Sequence, residues 1–464
     1  MANIKTIVRM IVPKGVILTY HKMLSYMAAM YYRHPSREML VVGVTGTNGK
    51  TTTATMIARV LEGTHYKVGL ATTAEFQIGS ITYLNDKKMT MLGRFQLQKL
   101  LREMADAGCK YAVIEVSSEG VVQHRIDGID FDIAVFTNLT PEHIESHGSF
   151  ENYKKAKGKF FAHLSKTVKK YATFEGDTEV VHVDESYETR NVAEKIAKTI
   201  VVNGDDKNSD YFFNFDAEEK YCYGIQECCN CCTTAHRTIR ATDVTLHDDH
   251  STFNVGGLYF SIGMPGIYNV YNALAAITVG LTRGMGFSEI ATQLNKITGV
   301  PGRFEHIDEG QNFKVIIDYA PEVASMEALY KVIDAMQKRR VIHVLGSCGG
   351  GRDKDRRPKL GKIAANHSDI VIVTNEDPYD DDPMEIINDV AQGAKNAGKI
   401  QDKNLFLIED RRAAIHFALQ QAGENDVVLI TGKGSEQAMC IKNGEKVPWD
   451  DRMVTREELQ ALHL

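Results

Sequence analysis

A run of glycine, lysine and threonine, Gly43-Val-Thr-Gly46-Thr47-Asn48-Gly49-Lys50-Thr51-Thr52, is where residue types and spacing point most directly to chemistry. Glycines let backbone N–H groups curl around phosphate oxygens, and a helix opening from such a turn adds roughly +0.5 of charge at its first turn. Lysine at that point can reach the β- and γ-phosphates of a nucleotide, and a threonine hydroxyl can ligate Mg²⁺. Lys50 and Thr51 hold those two places. The leading glycine is Gly43, because position 44 is valine, so the spacing departs slightly from the commonest phosphate-loop pattern. Strand, lysine, paired threonines and helix still coincide, which predicts nucleotide binding by Gly46 to Thr52.

The elements that must position these groups follow from the apolar pattern. Met39–Gly46 reads as a strand entering the glycine turn, and Thr51–Leu61 as the helix that leaves it. Tyr111–Val116 and Ile133–Asn138 are buried strands leading into polar loops, and Glu115 stands at such a strand end, facing the phosphate loop. After Gly299–Arg303 the alternation restarts, with strands at Lys314–Tyr319, Val341–Leu345, Ile370–Thr374, Leu405–Ile408 and Val427–Thr431. Such alternation predicts an α/β chain with a mostly parallel sheet in a central phosphate-loop ATPase domain, followed by a Rossmann-like α/β domain. The expected divisions are a helical extension at 1–38, the central domain at 39–302 and the C-terminal domain at 303–464. Residues 208–262, with short alternating segments and turn residues, suggest an antiparallel excursion.

Composition narrows the class. The chain has 464 residues, 43% hydrophobic and 25% charged, enough for about three domains at ~150 residues each. A net charge of −6 argues against a nucleic-acid surface. Eight cysteines in so long a chain do not make a disulfide scaffold, so a reducing, cytoplasmic setting is expected. No stretch reads as a transmembrane helix, which needs about 20 mostly apolar residues. Residues 16–32 read as an amphipathic helix docked on the body, with contact to a membrane surface or a partner subunit as the alternative. Cys222, Cys228, Cys229, Cys231, Cys232 and His236 could supply a tetrahedral Zn²⁺ site, or form a metal-free hairpin tip.

GTNGKTT resembles the ATP loop of the Mur ligase family, and spaced motifs extend the resemblance from about Met39 to the C-terminus. They are EVSS (Glu115–Ser118), NLTPEHIESHG (Asn138–Gly148), YKKAKGKFF (Tyr153–Phe161), GIYNVYNALAA (Gly266–Ala276), GVPGRFE (Gly299–Glu305), DYA (Asp318–Ala320) and GGGRDKDRRP (Gly349–Pro358). With EDP at Glu376–Pro378 and GKGSE at Gly432–Glu436, the set looks most like the muramyl-tripeptide synthetase branch. The resemblance implies an ATP-dependent amide ligase of cell-wall precursor assembly. ATP phosphorylates a carboxylate of a precursor peptide, an amino acid's amine attacks the acyl phosphate, and ADP and phosphate leave. Protein groups would supply positioning and charge neutralisation, and the C-terminal domain would close over the ATP site.

The resemblance also implies site residues. Lys50, Glu115, His143 and Lys157 would be catalytic, with Thr51, Glu115, His143 and Lys157 around Mg²⁺; Lys157 would act as a carbamate, since a bare ammonium beside Mg²⁺ is repelled. Glu142 stands where aspartate is usual before that histidine. Asn269, Asn272, Arg303 and Asp318 would contact the nucleotide, although Pro321, Glu322 and Val323 replace the usual continuation after Asp318. Ser117 and Arg125 would hold the nucleotide-sugar acceptor, while Thr90-Met-Leu-Gly replaces the threonine–proline pair that normally assists them. The branch normally carries an N-terminal domain that grips the UDP group, and residues 1–39 are too few for one. A folylpolyglutamate-type enzyme, another amino-acid ligase of the same build, or a ligase-like subunit needing a partner are the alternatives.

The amino acid should bind at Glu376, Asp377, Tyr379, Gly432 and Glu436. Diaminopimelate-adding relatives read D-N-P-R in this loop, whereas here it is Glu376-Asp377-Pro378-Tyr379, followed by Asp380, Asp381 and Asp382. Tyrosine cannot replace a bidentate arginine clamp. Carboxylates in the loop favour an ammonium-bearing side chain such as lysine's, unless the loop is merely the acidic start of a helix.

Overall fold

The computed structural model describes residues 12–142, 147–175, 178–183, 194–226, 237–351 and 353–462. The glycine turn grows out of the middle of the larger sheet. Strand β1 (Leu40–Thr45) is buried along its whole length, because both faces of a parallel sheet are covered by helices. Around it lie β2 (Lys67–Ala71), β3 (Glu75–Ile78), β4 (Ile81–Leu84), β5 (Cys109–Glu115), β6 (Ile133–Phe136), β10 (Thr199–Asn203), β11 (Glu219–Gly224), β12 (Arg237–Leu246), β13 (Ser251–Val255) and β14 (Leu258–Ile262). Among the described residues the order is β14-β13-β12-β11-β10-β6-β1-β5-β2-β3-β4. From β12 to β2 the neighbours are parallel, and both edges end in antiparallel strands. The excursion expected at 208–262 is therefore antiparallel only in its second half.

β5 and β6 lie on opposite sides of β1, so the carboxyl end of β1 is a topological switch point, where ligand crevices open in α/β sheets. The helices Lys50–Glu62 and Ile267–Thr282 pack together on one face with Ile57, Val60, Leu274 and Ile277 fully buried. On the other face Phe131, Phe136, Phe160, Phe161 and Phe212 form an aromatic layer under the helix Phe150–Leu164. A small antiparallel sheet of β7 (Lys170–Glu175), β8 (Thr178–His182) and β9 (Glu194–Ile196) was not anticipated.

A second sheet has the order β15-β16-β20-β17-β18-β19, built from β15 (Glu305–Ile307), β16 (Lys314–Asp318), β17 (Val341–Leu345), β18 (Ile370–Val373), β19 (Leu405–Leu407) and β20 (Val427–Thr431). All but β15 run parallel, with helices on both faces. A hairpin of β21 (Ala438–Cys440) and β22 (Lys446–Pro448) follows.

The N-terminal helix spans Lys14–Tyr31 and docks through small residues, with Ser25, Ala28 and Ala29 buried. Its outer face is largely apolar: Val16, Tyr20, Met23, Met27, Met30 and Tyr31 are exposed, together with Thr19 and Lys22. No helix among the described residues is long and apolar enough to cross a membrane.

Candidate functional site

At the end of β1 the chain turns through Gly49, the cap of the helix Lys50–Glu62, in the left-handed region at φ +78°. A Cβ there would overlap the Asn272 amide, so glycine is required twice over. The turn is tied to the end of β6: Asn138 O accepts from Thr47 N at 2.8 Å and Asn138 Oδ1 from Asn48 N at 2.9 Å. Lys50 Nζ folds back to donate to Thr47 O at 2.7 Å. Parallel pairing of β1 with β5 sets Val44 beside Glu115. Thr51 Oγ1 donates to Glu115 Oε2 at 2.9 Å, and Thr73 N donates to the same oxygen at 2.8 Å. Thr73 Oγ1 lies 3.0 Å from Glu115 Oε2 and 3.1 Å from Thr90 Oγ1. Neither threonine was anticipated from sequence, since only the tertiary fold brings them to Glu115.

Lys157 is fully buried, not a solvated helix lysine like its neighbours. Its Nζ donates to Gly46 O at 2.6 Å and sits 4.6 Å from the Tyr153 ring centre. Burial, and then the Lys50 charge, push its pKa well below the usual lysine range, against the pull of Glu142 and Glu115. Burial pushes the Glu142 carboxyl up, with Lys50 and Lys157 opposing. His143 lies outside the described residues.

The loop opens into a cavity of about 520 Å³ lined by both sheets. Lys50, Thr51, Glu115, Asn269, Asn272, Arg303 and Asp318 all line it. Asn272 Oδ1 accepts from Thr53 Oγ1 at 2.9 Å and Asn272 Nδ2 donates to Asn269 Oδ1 at 3.1 Å, so both asparagines brace the loop from behind. Arg303 reaches from the other side: its Nη2 is 3.4 Å from Thr51 Oγ1 and its guanidinium lies 4.6 Å from the Tyr319 ring centre. Asp318 accepts from Phe304 N at 2.7 Å and Ala320 N at 2.9 Å; burial raises its pKa, with Arg303 opposing. Its carboxylate thus organises the segment after position 318 despite the altered sequence there.

Across the cavity stand Glu376, Asp377, Tyr379 and Glu436. Gly432, at φ +110°, lets the chain pass Glu376, whose carboxyl a Cβ would strike. Here the expectation of free loop carboxylates fails. Asp377 accepts from Lys433 Nζ at 3.0 Å, Lys88 Nζ at 2.6 Å and Cys440 N at 2.7 Å. Glu436 lies 2.7 Å from Lys433 Nζ and 3.2 Å from Lys88 Nζ. Burial alone would raise the Asp377 pKa, but the two lysines hold it below the usual carboxylate range. Asp380 accepts from Asn443 N, Asp381 from Gly350 N, and Asp382 caps the helix Pro383–Asn396. With those charges already answered inside the protein, loop charge gives no ground for preferring a basic amino acid. Lys433 lies within the GKGSE motif without standing out there, and Lys88 carries no local signal in sequence.

Ser117 and Arg125 do not line this cavity. Ser117 Oγ caps the short helix Ser118–Val122 by accepting from Gly120 N. Cys222 is buried in the core on β11, packed with its apolar neighbours. Cys228, Cys229, Cys231, Cys232 and His236 lie outside the described residues, and among those described no three His, Cys, Asp or Glu side chains are grouped to hold a metal.

Residues 44–280 match the Mur ligase middle domain, and 302–434 the Mur ligase glutamate ligase domain. The chain is 37% identical over 447 residues to a UDP-N-acetylmuramyl-tripeptide synthetase of Roseiflexus sp. (strain RS-1), covering 95% of this chain and 82% of that one. It is 35% identical over 451 residues to a UDP-N-acetylmuramoyl-L-alanyl-D-glutamate–2,6-diaminopimelate ligase of Geobacillus thermodenitrificans (strain NG80-2), covering 96% and 84%. A solved structure of a ligase of the latter description superposes with a TM-score of 0.58 at 26% identity, over 96% of this chain and 84% of that one. Folylpolyglutamate synthase of Mycobacterium tuberculosis shares the fold, with a TM-score of 0.61 at 15% identity, over 95% and 94%. A phosphate loop at a switch point, a buried carboxylate on its threonine and a second α/β sheet closing the cavity agree with these matches: the chain belongs to the Mur ligase family and is an ATP-dependent acid–amino-acid ligase of its tripeptide-synthetase type.

Proposed function

We propose that the chain adds an amino acid to the free carboxylate of UDP-N-acetylmuramoyl-L-alanyl-D-glutamate, the acceptor named for its relatives, in the cytoplasm. The observation that carries this reading is one cavity holding Lys50, Thr51 and Glu115 from the larger sheet and Arg303, Glu376, Asp377 and Glu436 from the smaller. In this reading residues 39–302 form the ATP-binding domain and 303–464 the domain that brings the amino acid, with 1–38 an appended helical segment.

Backbone N–H groups of Gly46–Thr52 hold the ATP phosphates, and Lys50 swings from Thr47 O onto the transferring γ-phosphate, whose growing charge it neutralises. Thr51 and Glu115 offer hard oxygen donors, which suit Mg²⁺, with His143 and Lys157 completing that side. Magnesium held there would supply positive charge that offsets the phosphate charge. Burial shifts Lys157 towards the free amine, the form that adds CO₂: an N–C bond forms, a proton leaves, and a buried carbamate anion results. Arg303 stabilises the departing phosphate, Asn269, Asn272 and Asp318 fix the nucleotide side, and Ser117 and Arg125 hold the acceptor. Gly432 and Glu436 hold the α-amino acid end, and Glu376, Asp377 and Tyr379 meet the far end of the side chain.

Phosphate release by the full chain with ATP and Mg²⁺ tests this, over a matrix of acceptors (the muramoyl dipeptide, folate) and amino acids (diaminopimelate, lysine, glutamate). Release that requires both the muramoyl dipeptide and an amino acid is expected. Release only with folate and glutamate, or none with the dipeptide, overturns the assignment.

A further inference from the structure

The segment replacing the threonine–proline pair, Thr90-Met-Leu-Gly, ends in Arg94, the first residue of the helix Arg94–Asp106. Gly93 caps that helix without a side-chain hydrogen bond, so its first-turn N–H groups and dipole are not offset by a side chain there. Arg94 and Arg125 are half-buried neighbours bound only to neutral acceptors: Arg94 Nη2 to Gln123 O, Arg125 Nη1 to Met91 O, and Arg125 Nη2 to Gln123 Oε1 at 2.8 Å. The Nε of each is buried with no hydrogen-bond partner. Among the described residues neither guanidinium has a carboxylate within ion-pair distance. The acid that acts on Arg94, Asp127, is bound by His124 Nδ1 at 3.0 Å. Burial and then the Arg125 charge press the Arg94 pKa down, with Tyr20 of the N-terminal helix and Asp127 opposing.

Two adjacent guanidiniums with no carboxylate in ion-pair contact, Glu119 and Asp127 acting only from further off, are costly in a half-buried setting, and each carries five donors in a fork matched to carboxylate or phosphate oxygens. Their place fits an extended substrate. Thr90 lines the reaction cavity beside Thr73 and Glu115, Met91 O holds Arg125, and Arg94 follows Thr90 by four residues, a reach of at most ~14 Å. We propose that Arg94 joins Arg125 in an oxyanion subsite that grips a carboxylate or phosphate of the acyl substrate, making Arg94 a specificity-determining residue. This rests on the acceptor reading above, and it adds a group that the family resemblance does not include.

Two experiments on the full chain separate the subsite from that reading. With Mg²⁺ and ADP filling the phosphate loop, the melting temperature is titrated with glutarate and, separately, with inorganic phosphate. The parent should be stabilised by one of them, which identifies the oxyanion, and Arg94→Gln should need at least tenfold more of it. In phosphate release with the muramoyl dipeptide, Arg94→Gln should raise the acceptor KM about tenfold or more, leaving the KM values for ATP and amino acid unchanged. Arg94→Lys, which keeps the charge but not the fork, should fall between and serves if the glutamine variant does not fold. No stabilisation of the parent by either ion, or parental titration and acceptor KM in both variants, overturns the subsite. A parent that ignores the muramoyl dipeptide, yet loses its anion response on Arg94→Gln, overturns the acceptor and upholds the subsite.

Discussion

Lys88 reaches from the loop after β4 into the amino-acid end of the cavity, and its removal should loosen the two sheets from each other. Its Nζ lies 2.6 Å from Asp377 and 3.2 Å from Glu436, with all three side chains largely buried. The loop makes one further crossing contact, Lys446 Nζ to Lys87 O at 3.3 Å. Burial works against the Lys88 charge, but Glu436 and Asp377 together hold its pKa above the usual lysine range. Breaking a fully buried ion pair by deleting one partner costs about 3–5 kcal/mol. In Lys88→Met, however, Asp377 keeps Lys433 Nζ at 3.0 Å and the Cys440 N–H at 2.7 Å. A loss of about 2 kcal/mol is therefore expected, or roughly 30-fold in the balance between closed and open arrangements at 1.4 kcal/mol per tenfold. Small-angle scattering should report a larger radius of gyration for the variant. The amino-acid KM should rise by about the same factor, because the closing domain carries the amino-acid groups. An unchanged radius together with an unchanged amino-acid KM would refute the reasoning and leave Lys88 as a local filler of charge.

Other perturbations address the remaining parts. Lys50→Ala should lower amino-acid-dependent phosphate release by 10²-fold or more without altering the melting temperature much, since among the described residues its ammonium hydrogen-bonds Thr47 O alone; near-parental release would count against the phosphate-transfer role. Lys157→Ala should lose most activity and regain part of it with added formate or acetate, while an active parent whose intact mass shows no carbamate would exclude that role. His343 sits fully buried, with Nδ1 2.7 Å from Tyr330 Oη and Nε2 2.9 Å from Thr431 Oγ1. Burial, then Arg411, push its pKa down from 6.5 to about 3. The unfolded chain takes up this proton near pH 6.5 and the folded one does not, so His343 destabilises the fold progressively as pH falls from 6.5 towards 3. Between pH 7 and pH 5 the loss should be about 2 kcal/mol. Denaturant unfolding at the two pH values checks it, and an equal loss in His343→Gln would dismiss the histidine as the source.

What could be read from the sequence was local. The phosphate loop lies within ten consecutive residues, and the strands at Val341–Leu345 and Val427–Thr431 coincide with the apolar runs that mark them, because central parallel strands are buried on both faces. Glu115 was legible as a strand end, but its partner Thr73, and Thr90 bonded to Thr73 in turn, were not, since no period or spacing links them to it. The pairing of β11 with β12 escaped for a related reason. Alternating residues specify a half-buried strand without specifying its direction, which is set by the connection. The N-terminal helix misled differently: its periodicity marks one apolar face, whereas Ser25, Ala28 and Ala29 make the close docking against Gly128 and the Tyr20–Met23–Met27 side faces outward.

Charge was the least legible property, and the two ends of the cavity show why. Around Glu376–Asp382 the sequence suggests spare negative charge, yet Asp377 is paired to Lys433 and to Lys88, 289 residues away in the chain, while Asp380, Asp381 and Asp382 accept from backbone N–H groups. At Thr90–Arg94 the sequence suggests only a lost motif, yet the fold leaves two guanidiniums there with no carboxylate in ion-pair contact among the described residues, Glu119 and Asp127 acting only from further off. Which charges are paired depends on distances near 3 Å that only tertiary contacts set. On the proposed reading, charge selection at the acceptor end would rest on the Arg94 and Arg125 guanidiniums, whereas at the other end Asp377 and Glu436 already have lysine partners within the protein.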